Sequence, residues 1–287
     1  MKLKVNDITL NVLVEGDDKA PPVLLLHGFP DSSKLWSGQI KPLVDAGYKV
    51  IVPDLRGFGE SEAPTETSAY KMSNGISDVT ALLDELKVDK CKVVGHDFGA
   101  ALAWGLAISQ PDRVERLCVI SVGHMGAYFS AGGIDQKKAS WYMLLFVQEG
   151  TAERLLQAQD WQLLKAITSP GVPDDALQAY VTDLSRPGRL TAGLNWYRAN
   201  HNMESFVALE PNNDIPGVQM PTMGIWPTGD HYCLEVQMLA SESKVPKGCW
   251  RYERLESPSH WAPRDKPQEV CALLLDFFKQ DFPQNKL

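Results

Sequence analysis

GHDFGA, residues 95–100, comes directly after the apolar pair Val93–Val94 and before a stretch of helical periodicity. Its layout is that of a sharp strand-to-helix turn of the G-x-S-x-G type. In such a turn small neighbours let the backbone double back, and the central side chain stands at the top. Gly95, Gly99 and Ala100 supply the small neighbours, but the central residue is Asp97 rather than serine. One reading makes Asp97 a reactive group. The other makes it the N-cap of a helix beginning near Gly99, a role that aspartate fills well.

Short runs rich in β-branched residues and leucine recur around this turn: VLLLH (23–27), KVIVPD (49–54), KVVGH (92–96), RLCVIS (116–121), PTMGIW (221–226) and WRYERL (250–255). Bounded by turn residues, they read as strands buried on both faces. Alternation in Lys2 to Val5 and Ile8 to Val14, joined at Asn6-Asp7, adds a hairpin at the start. Helical periodicity fills Met72 to Leu86, Ala100 to Ser109, Leu234 to Ser243 and Gln268 to Gln280. Two antiparallel strands followed by βα units predict an α/β fold whose eight-stranded, mostly parallel sheet is flanked by helices. Between residues 123 and 217 the series breaks. Helix-like stretches occur there (Gln136 to Phe146, Thr151 to Ala166, Asp174 to Asp183, Thr191 to Asn200) without a convincing strand. This predicts a helical cap (lid) domain, 123–217, inserted into a core domain of residues 1–122 and 218–287. Such a cap would lie over the carboxyl ends of the strands, where open α/β sheets bind ligands.

The 287 residues carry a net charge of −8, which argues against nucleic acid or anionic membrane surfaces as partners. No apolar run approaches the length that spans a bilayer, and the alternating N-terminus reads as part of the fold rather than as a signal peptide. Five cysteines (Cys91, Cys118, Cys233, Cys249, Cys271) are scattered without C-x-x-C spacing. They call for neither a disulfide framework nor a zinc site, and they favour a reducing, cytoplasmic location. The terminal Asn285-Lys286-Leu287 matches the peroxisomal S-K-L address only in its last two residues, leaving a frayed polar tail as the other reading.

HGFP (27–30) ends an earlier strand where a second backbone N–H of an oxyanion hole belongs, so that the two donors are the amides of Phe29 and Phe98. DLRGFGES (54–61) is a glycine-rich turn after the next strand. With this turn type the remaining partners follow in the order nucleophile, acid, histidine. Asp230 in PTGD and His260 in ESPSHW lie just past the last two strands, in that order. His27 and His96 are tied to strand ends, while His124, His201 and His231 have no acid placed by the same logic. From HGFP through GHDFGA to SHW the chain resembles the α/β-hydrolase-fold epoxide hydrolases over essentially its whole length. The resemblance implies Asp97 as nucleophile, His260 as base, Asp230 as its orienting acid, and no metal or organic cofactor.

A carboxylate that attacks saturated carbon leaves an alkyl ester, so Asp97 suits substrates with a strained ring or a leaving group there: epoxides or alkyl halides. Ring opening releases an alkoxide, which a tyrosine with pKa about 10 can protonate. A halide instead needs N–H donors. In the haloalkane dehalogenases, which the chain also resembles, these come from a tryptophan after the nucleophile and from a second donor in the HGNP turn; here Phe98 and Phe29 stand at those places. The lid stretches WYMLLFVQEG and LNWYRAN place Tyr142 and Tyr197 in contexts similar to the paired lid tyrosines of epoxide hydrolases. Packing in an apolar helix is the other role open to them, and Tyr128, Tyr180 and Tyr232 are the other candidate donors. Phe29, Phe98, Trp104, Trp141, Trp196 and Trp261 are expected to shape an apolar pocket. The expected partners are a hydrophobic epoxide and water, with the chain a monomer or homodimer. A dehalogenase acting on alkyl halides or haloacids, and a non-catalytic ligand receptor on the same fold, are the competing readings.

Overall fold

The apolar runs become strands of a single sheet in a computed structural model that describes residues 1–168, 171–207, 215–257 and 259–283. The strands are β1 (Lys2–Val5), β2 (Ile8–Glu15), β3 (Pro22–Leu26), β4 (Lys49–Pro53), β5 (Cys91–His96), β6 (Val114–Ile120), β7 (Thr222–Pro227) and β8 (Trp250–Leu255). They lie in the order β1-β2-β4-β3-β5-β6-β7-β8. β1 and β2 form an antiparallel hairpin, β2 is antiparallel to β4, and every later pairing is parallel.

Successive side chains point to opposite faces of the sheet, and both faces are covered, so the middles of the central strands are continuous apolar runs. Val23 and Leu25 of β3, Val50 and Val52 of β4, and Val94 of β5 face one hydrophobic cluster; Leu24, Leu26, Ile51 and Val93 face the other. The first is covered by α1 (Ser37–Asp45) and α12 (Pro267–Lys279), the second by α2 (Met72–Glu85) and α3 (Phe98–Ser109). Each fully buried Leu, Ile or Val contributes roughly 1.5–3 kcal/mol relative to exposure. The sheet is therefore anchored from both sides.

Between β6 and β7 come α4 (Met125–Ala139), α5 (Tyr142–Phe146), α6 (Thr151–Thr168), α7 (Asp174–Leu184), α8 (Arg189–Asn200) and α9 (Met203–Val207). After β7 comes α10 (Glu235–Ala240), and α11 (Ala262–Asp265) precedes α12. Two expectations need correction. Gln136 to Phe146 is not one helix: α4 ends at Ala139, the Ser140 hydroxyl accepts from Gln136 Nε2 at 2.9 Å, and a new helix starts at Tyr142. α1 was not anticipated, because Gly38 and Pro42 mask its pattern; its Gln39 is fully buried and donates to the Pro263 carbonyl at 2.7 Å.

α8 is fastened to the turn after β4. Trp196 Nε1 donates to the Arg56 carbonyl (3.0 Å), Asn200 Nδ2 to the Tyr70 carbonyl (2.9 Å), and Met72 N donates to Asn200 Oδ1 (2.8 Å). That turn is itself braced by a buried two-pronged pair, Arg56 Nε to Asp78 Oδ2 at 2.6 Å and Nη2 to Oδ1 at 2.8 Å. Among the described residues no helix is long and apolar enough to cross a membrane. Asn285-Lys286-Leu287 lies outside the described residues.

Candidate active site

Asp97 sits between β5 and α3 with φ 54° and ψ −125°, a left-handed backbone that a non-glycine residue rarely adopts. The turn closes only because its neighbours are small. A Cβ on Gly95 would lie 2.3 Å from the Gly99 carbonyl oxygen, and one on Gly99 would lie 2.2 Å from that of Leu26. Although Asp97 precedes α3, its side chain makes no capping hydrogen bond to the helix. The carboxylate turns instead toward the HGFP turn, where Phe29 N–H donates to Oδ1 at 2.9 Å. A Cβ on Gly28 would fall 2.3 Å from that same oxygen, so only glycine lets the turn come this close.

His260, just past β8, faces two carboxylates. Its Nδ1–H donates to Asp230 Oδ2 at 2.7 Å, and its Nε2 lies 3.5 Å from Asp97 Oδ2. The other Asp230 oxygen accepts from the Tyr232 and Cys233 amides, both at 2.9 Å. Burial opposes charge on His260, but the charge and hydrogen bond of Asp230, followed by those of Asp97, raise its pKa above the usual imidazole value. Burial likewise opposes charge on Asp97. The hydrogen bond and charge of His260, with the Phe98 amide, nevertheless hold that carboxyl below its usual range. Both shifts favour an ion pair of protonated His260 with the Asp97 carboxylate. Beneath it His96 donates from Nε2 to the His260 carbonyl (3.1 Å), and burial pushes its own pKa down to about 3, so it stays neutral. Asp230, Cys233 and His260 cluster closely enough to hold a metal ion. Their atoms are already committed, however: Asp230 to His260 and two amides, while burial raises the Cys233 thiol well above its usual range and keeps it protonated.

Asp97 lines two adjoining pockets, called lobes below. One is lined by Phe29, Phe146, Tyr232, His260 and Trp261, and the other by Phe98, Ala101, Met125, Tyr128, Met143 and His201. Tyr142 at the start of α5 and Tyr197 on α8 border both lobes, their ring centroids 6.2 Å apart. Burial, then neighbouring groups that include Asp97, raises both phenols well above their usual value, so both are neutral donors. Tyr197 stands edge-on to Phe29 (5.6 Å) and Phe98 (4.7 Å), which fixes its ring.

Three tryptophans are not where the sequence reading put them. Trp141 is 51% exposed, outside the cavity, and Trp196 is fully buried behind Phe98 with its indole bound to Arg56. Adjacent helical residues point about 100° apart, so a helix that turns Tyr142 or Tyr197 into a cavity turns the preceding tryptophan away. Trp104 is also core, donating to the Val122 carbonyl at 3.2 Å. Of the alternative tyrosines, Tyr128 and Tyr232 line one lobe each. Tyr180 instead accepts from Arg264 at 2.8 Å, outside both lobes. Tyr232 carried little sequence signal beyond lying two residues after Asp230; its hydroxyl bonds the Ile167 carbonyl of α6, and its ring stands 5.3 Å from His260.

A mostly parallel sheet with a side chain raised on a sharp turn after β5, an acid after β7 and a histidine after β8 defines an α/β-hydrolase-type enzyme. The chain belongs to the α/β hydrolase fold family, whose sequence model matches residues 21–267. It is 33% identical to the AB hydrolase superfamily protein YfhM of Bacillus subtilis, covering 96% of each chain. It is 32% identical to epoxide hydrolase 3 of Xenopus tropicalis, covering 98% of this chain and 78% of that one. Among solved structures, epoxide hydrolase A from Mycobacterium thermoresistibile superposes with a TM-score of 0.83 at 26% identity, covering 99% of this chain and 98% of that one.

Proposed function

We propose that the protein hydrolyses epoxides to vicinal diols through an alkyl ester on Asp97. One observation carries the reading: a carboxylate held by an oxyanion-type amide shares its cavity with two neutral phenols. The naming of relatives such as those above as epoxide hydrolases supports it. Asp97 Oδ2 attacks a ring carbon, the C–O bond of the ring breaks, and Tyr142 or Tyr197 gives the alkoxide its proton. Attack also turns Asp97 into a neutral ester. His260 then has one anionic neighbour rather than two, its pKa falls, and it releases the proton that restores the tyrosine. Neutral His260 next takes a proton from water, which adds to the ester carbon while the Phe29 and Phe98 amides hold the oxyanion. The diol leaves with a proton from His260, and the Asp97 carboxyl returns one, which restores the starting ion pair.

Dehalogenation is the less favoured reading because Phe29 and Phe98 offer a halide only backbone N–H groups. The test is a single turnover of styrene oxide in heavy-oxygen water with enzyme in excess, followed by digestion. Label is expected in the Asp97 peptide and not in the diol; label in the diol alone refutes the ester route. His260→Gln, expected to accumulate an adduct of substrate mass, separates the two half-reactions.

A further inference from the structure

Gln136, near the end of α4, is fully buried, and so is Ser140 one helical turn later. A buried carboxamide is costly unless its hydrogen-bonding groups are met, and an apolar side chain would fill the same space without that demand. Here the demand is met on two sides. Nε2 donates to the Tyr232 carbonyl at 2.7 Å and to Ser140 Oγ at 2.9 Å, while Oε1 accepts from Leu234 N–H at 2.8 Å. Both amide hydrogens and the amide oxygen are in use.

The bonds to Tyr232 and Leu234 bracket the loop that aims the acid. Tyr232 and Cys233 supply the two amides that hold Asp230 Oδ1, leaving Oδ2 to His260. The bond to Ser140 acts at the other end. Ser140 closes α4, its N–H donating to the Gln136 carbonyl at 2.9 Å, and its own carbonyl accepts from Met143 N–H at 3.0 Å as α5 begins. Tyr142 therefore leaves the chain two residues from a point that Gln136 holds. Ring contacts link the same parts: Tyr142 stands edge-on to Tyr232 at 5.6 Å, and Tyr232 to His260 at 5.3 Å.

We infer that Gln136 is a positioning residue whose single carboxamide keeps the phenol of Tyr142 in register with the Asp230–His260 pair. It lines neither lobe, so it acts only through the groups it holds. The inference rests on the roles proposed above for Tyr142 and His260. A purely structural role would lower stability without singling out Tyr142.

The experiment follows a single turnover of styrene oxide by rapid quench and mass spectrometry of the Asp97 peptide, which gives separate rates for ester formation and ester hydrolysis. It is run where circular dichroism reports each variant folded. Gln136→Met keeps an unbranched side chain and removes all three hydrogen bonds. It should slow both steps roughly 10-fold or more, as small misplacements of reacting groups do. In a Tyr142→Phe background the same substitution should change ester formation by less than about 3-fold, because the hydroxyl it misplaces is already gone, while hydrolysis still slows. Ser140→Ala frees only the junction of α4 and α5. It should slow ester formation about 3- to 10-fold and leave hydrolysis unchanged, and it decides the question if Gln136→Met does not fold. Equal losses in ester formation with and without Tyr142→Phe overturn the inference. So do wild-type rates in folded Gln136→Met, or wild-type ester formation in Ser140→Ala; in each case a wild-type ester on Asp97 leaves the epoxide reading standing. Absence of that ester from the wild type overturns the route proposed above, and this inference with it.

Discussion

Replacing Gly28 by alanine probes the contact on which the proposed second half-reaction depends. The added Cβ would lie 2.3 Å from Asp97 Oδ1, 2.4 Å from its Cβ and 2.7 Å from its Cγ. Ordinary contact begins near 3.4 Å, so the HGFP turn and the nucleophile must part by about 1.1 Å, the difference between 3.4 and 2.3 Å. Neither side gives easily. His27 is fully buried, with Nε2 accepting from Leu55 N at 3.0 Å, and Asp97 is pinned by a turn whose glycines have no spare room. A separation of that size carries Phe29 N, now 2.9 Å from Oδ1, out of hydrogen-bond reach. Loss of one oxyanion donor costs roughly 2.7–4 kcal/mol, or about 10²- to 10³-fold in kcat. Overpacking adds about 1–3 kcal/mol of lost stability. The assay is diol formation at a temperature where circular dichroism reports a folded variant, with mass spectrometry of the enzyme during turnover. Because the amides act on the ester in the proposed route, the alkylated enzyme should accumulate. A variant with kcat within about 3-fold of wild type and no ester detected would refute the reasoning, since an intact donor geometry is worth far more than that.

His260 has a folded pKa above its ordinary value of 6.5, so its stabilising contribution is complete below pH 6.5 and drains away as pH rises through the folded value. Asp97→Asn removes one of the two anions responsible, so the loss should still begin near pH 6.5 but be smaller and end at lower pH; urea midpoints against pH check this, and superimposable wild-type and variant curves would contradict it. Tyr142→Phe and Tyr197→Phe should each lower kcat about 10-fold, and the double variant about 10²- to 10⁴-fold, because either hydroxyl can partly replace the other as proton donor. Steady-state rates on one epoxide measure this, and a fully active double variant would remove the tyrosines from the chemistry. Arg56→Met strands the buried Asp78 carboxylate and should cost about 3–5 kcal/mol in urea denaturation.

The parts of the fold that were legible in the sequence are those where local pattern and tertiary role coincide. The central residues of β3 to β6 (Val23–Leu26, Val50–Val52, Val93–Val94 and Leu117–Ile120) are buried on both faces, so their apolar runs stand out. The turn at Asp97 was legible because its steric demand for Gly95 and Gly99 leaves few other residues possible. α1 was not, since Gly38 and Pro42 argue locally against a helix that packing against Pro267 and Pro263 nonetheless holds. Trp141 and Trp196 show the limit for pocket walls: an aromatic beside Tyr142 or Tyr197 shares its context but not its direction, and direction depends on helix phase. Tyr232 reaches His260 only because the loop after β7 folds back over it.

The hydrogen bond from Phe29 N–H to Asp97 Oδ1 also distinguishes the two carboxylate oxygens from each other. Oδ1 is held by the main chain, while Oδ2 faces His260 and is the atom free to attack. On the proposed ester route each cycle would hand Oδ2 to the diol and replace it with an oxygen from water, so that the enzyme would keep an isotopic memory of one turnover. In heavy-oxygen water the first diol from each active site is then expected to be light and the later ones heavy. Oδ1 stays light for as long as the carboxylate does not rotate, so isotope content at Asp97 after many cycles counts carboxylate flips against turnovers.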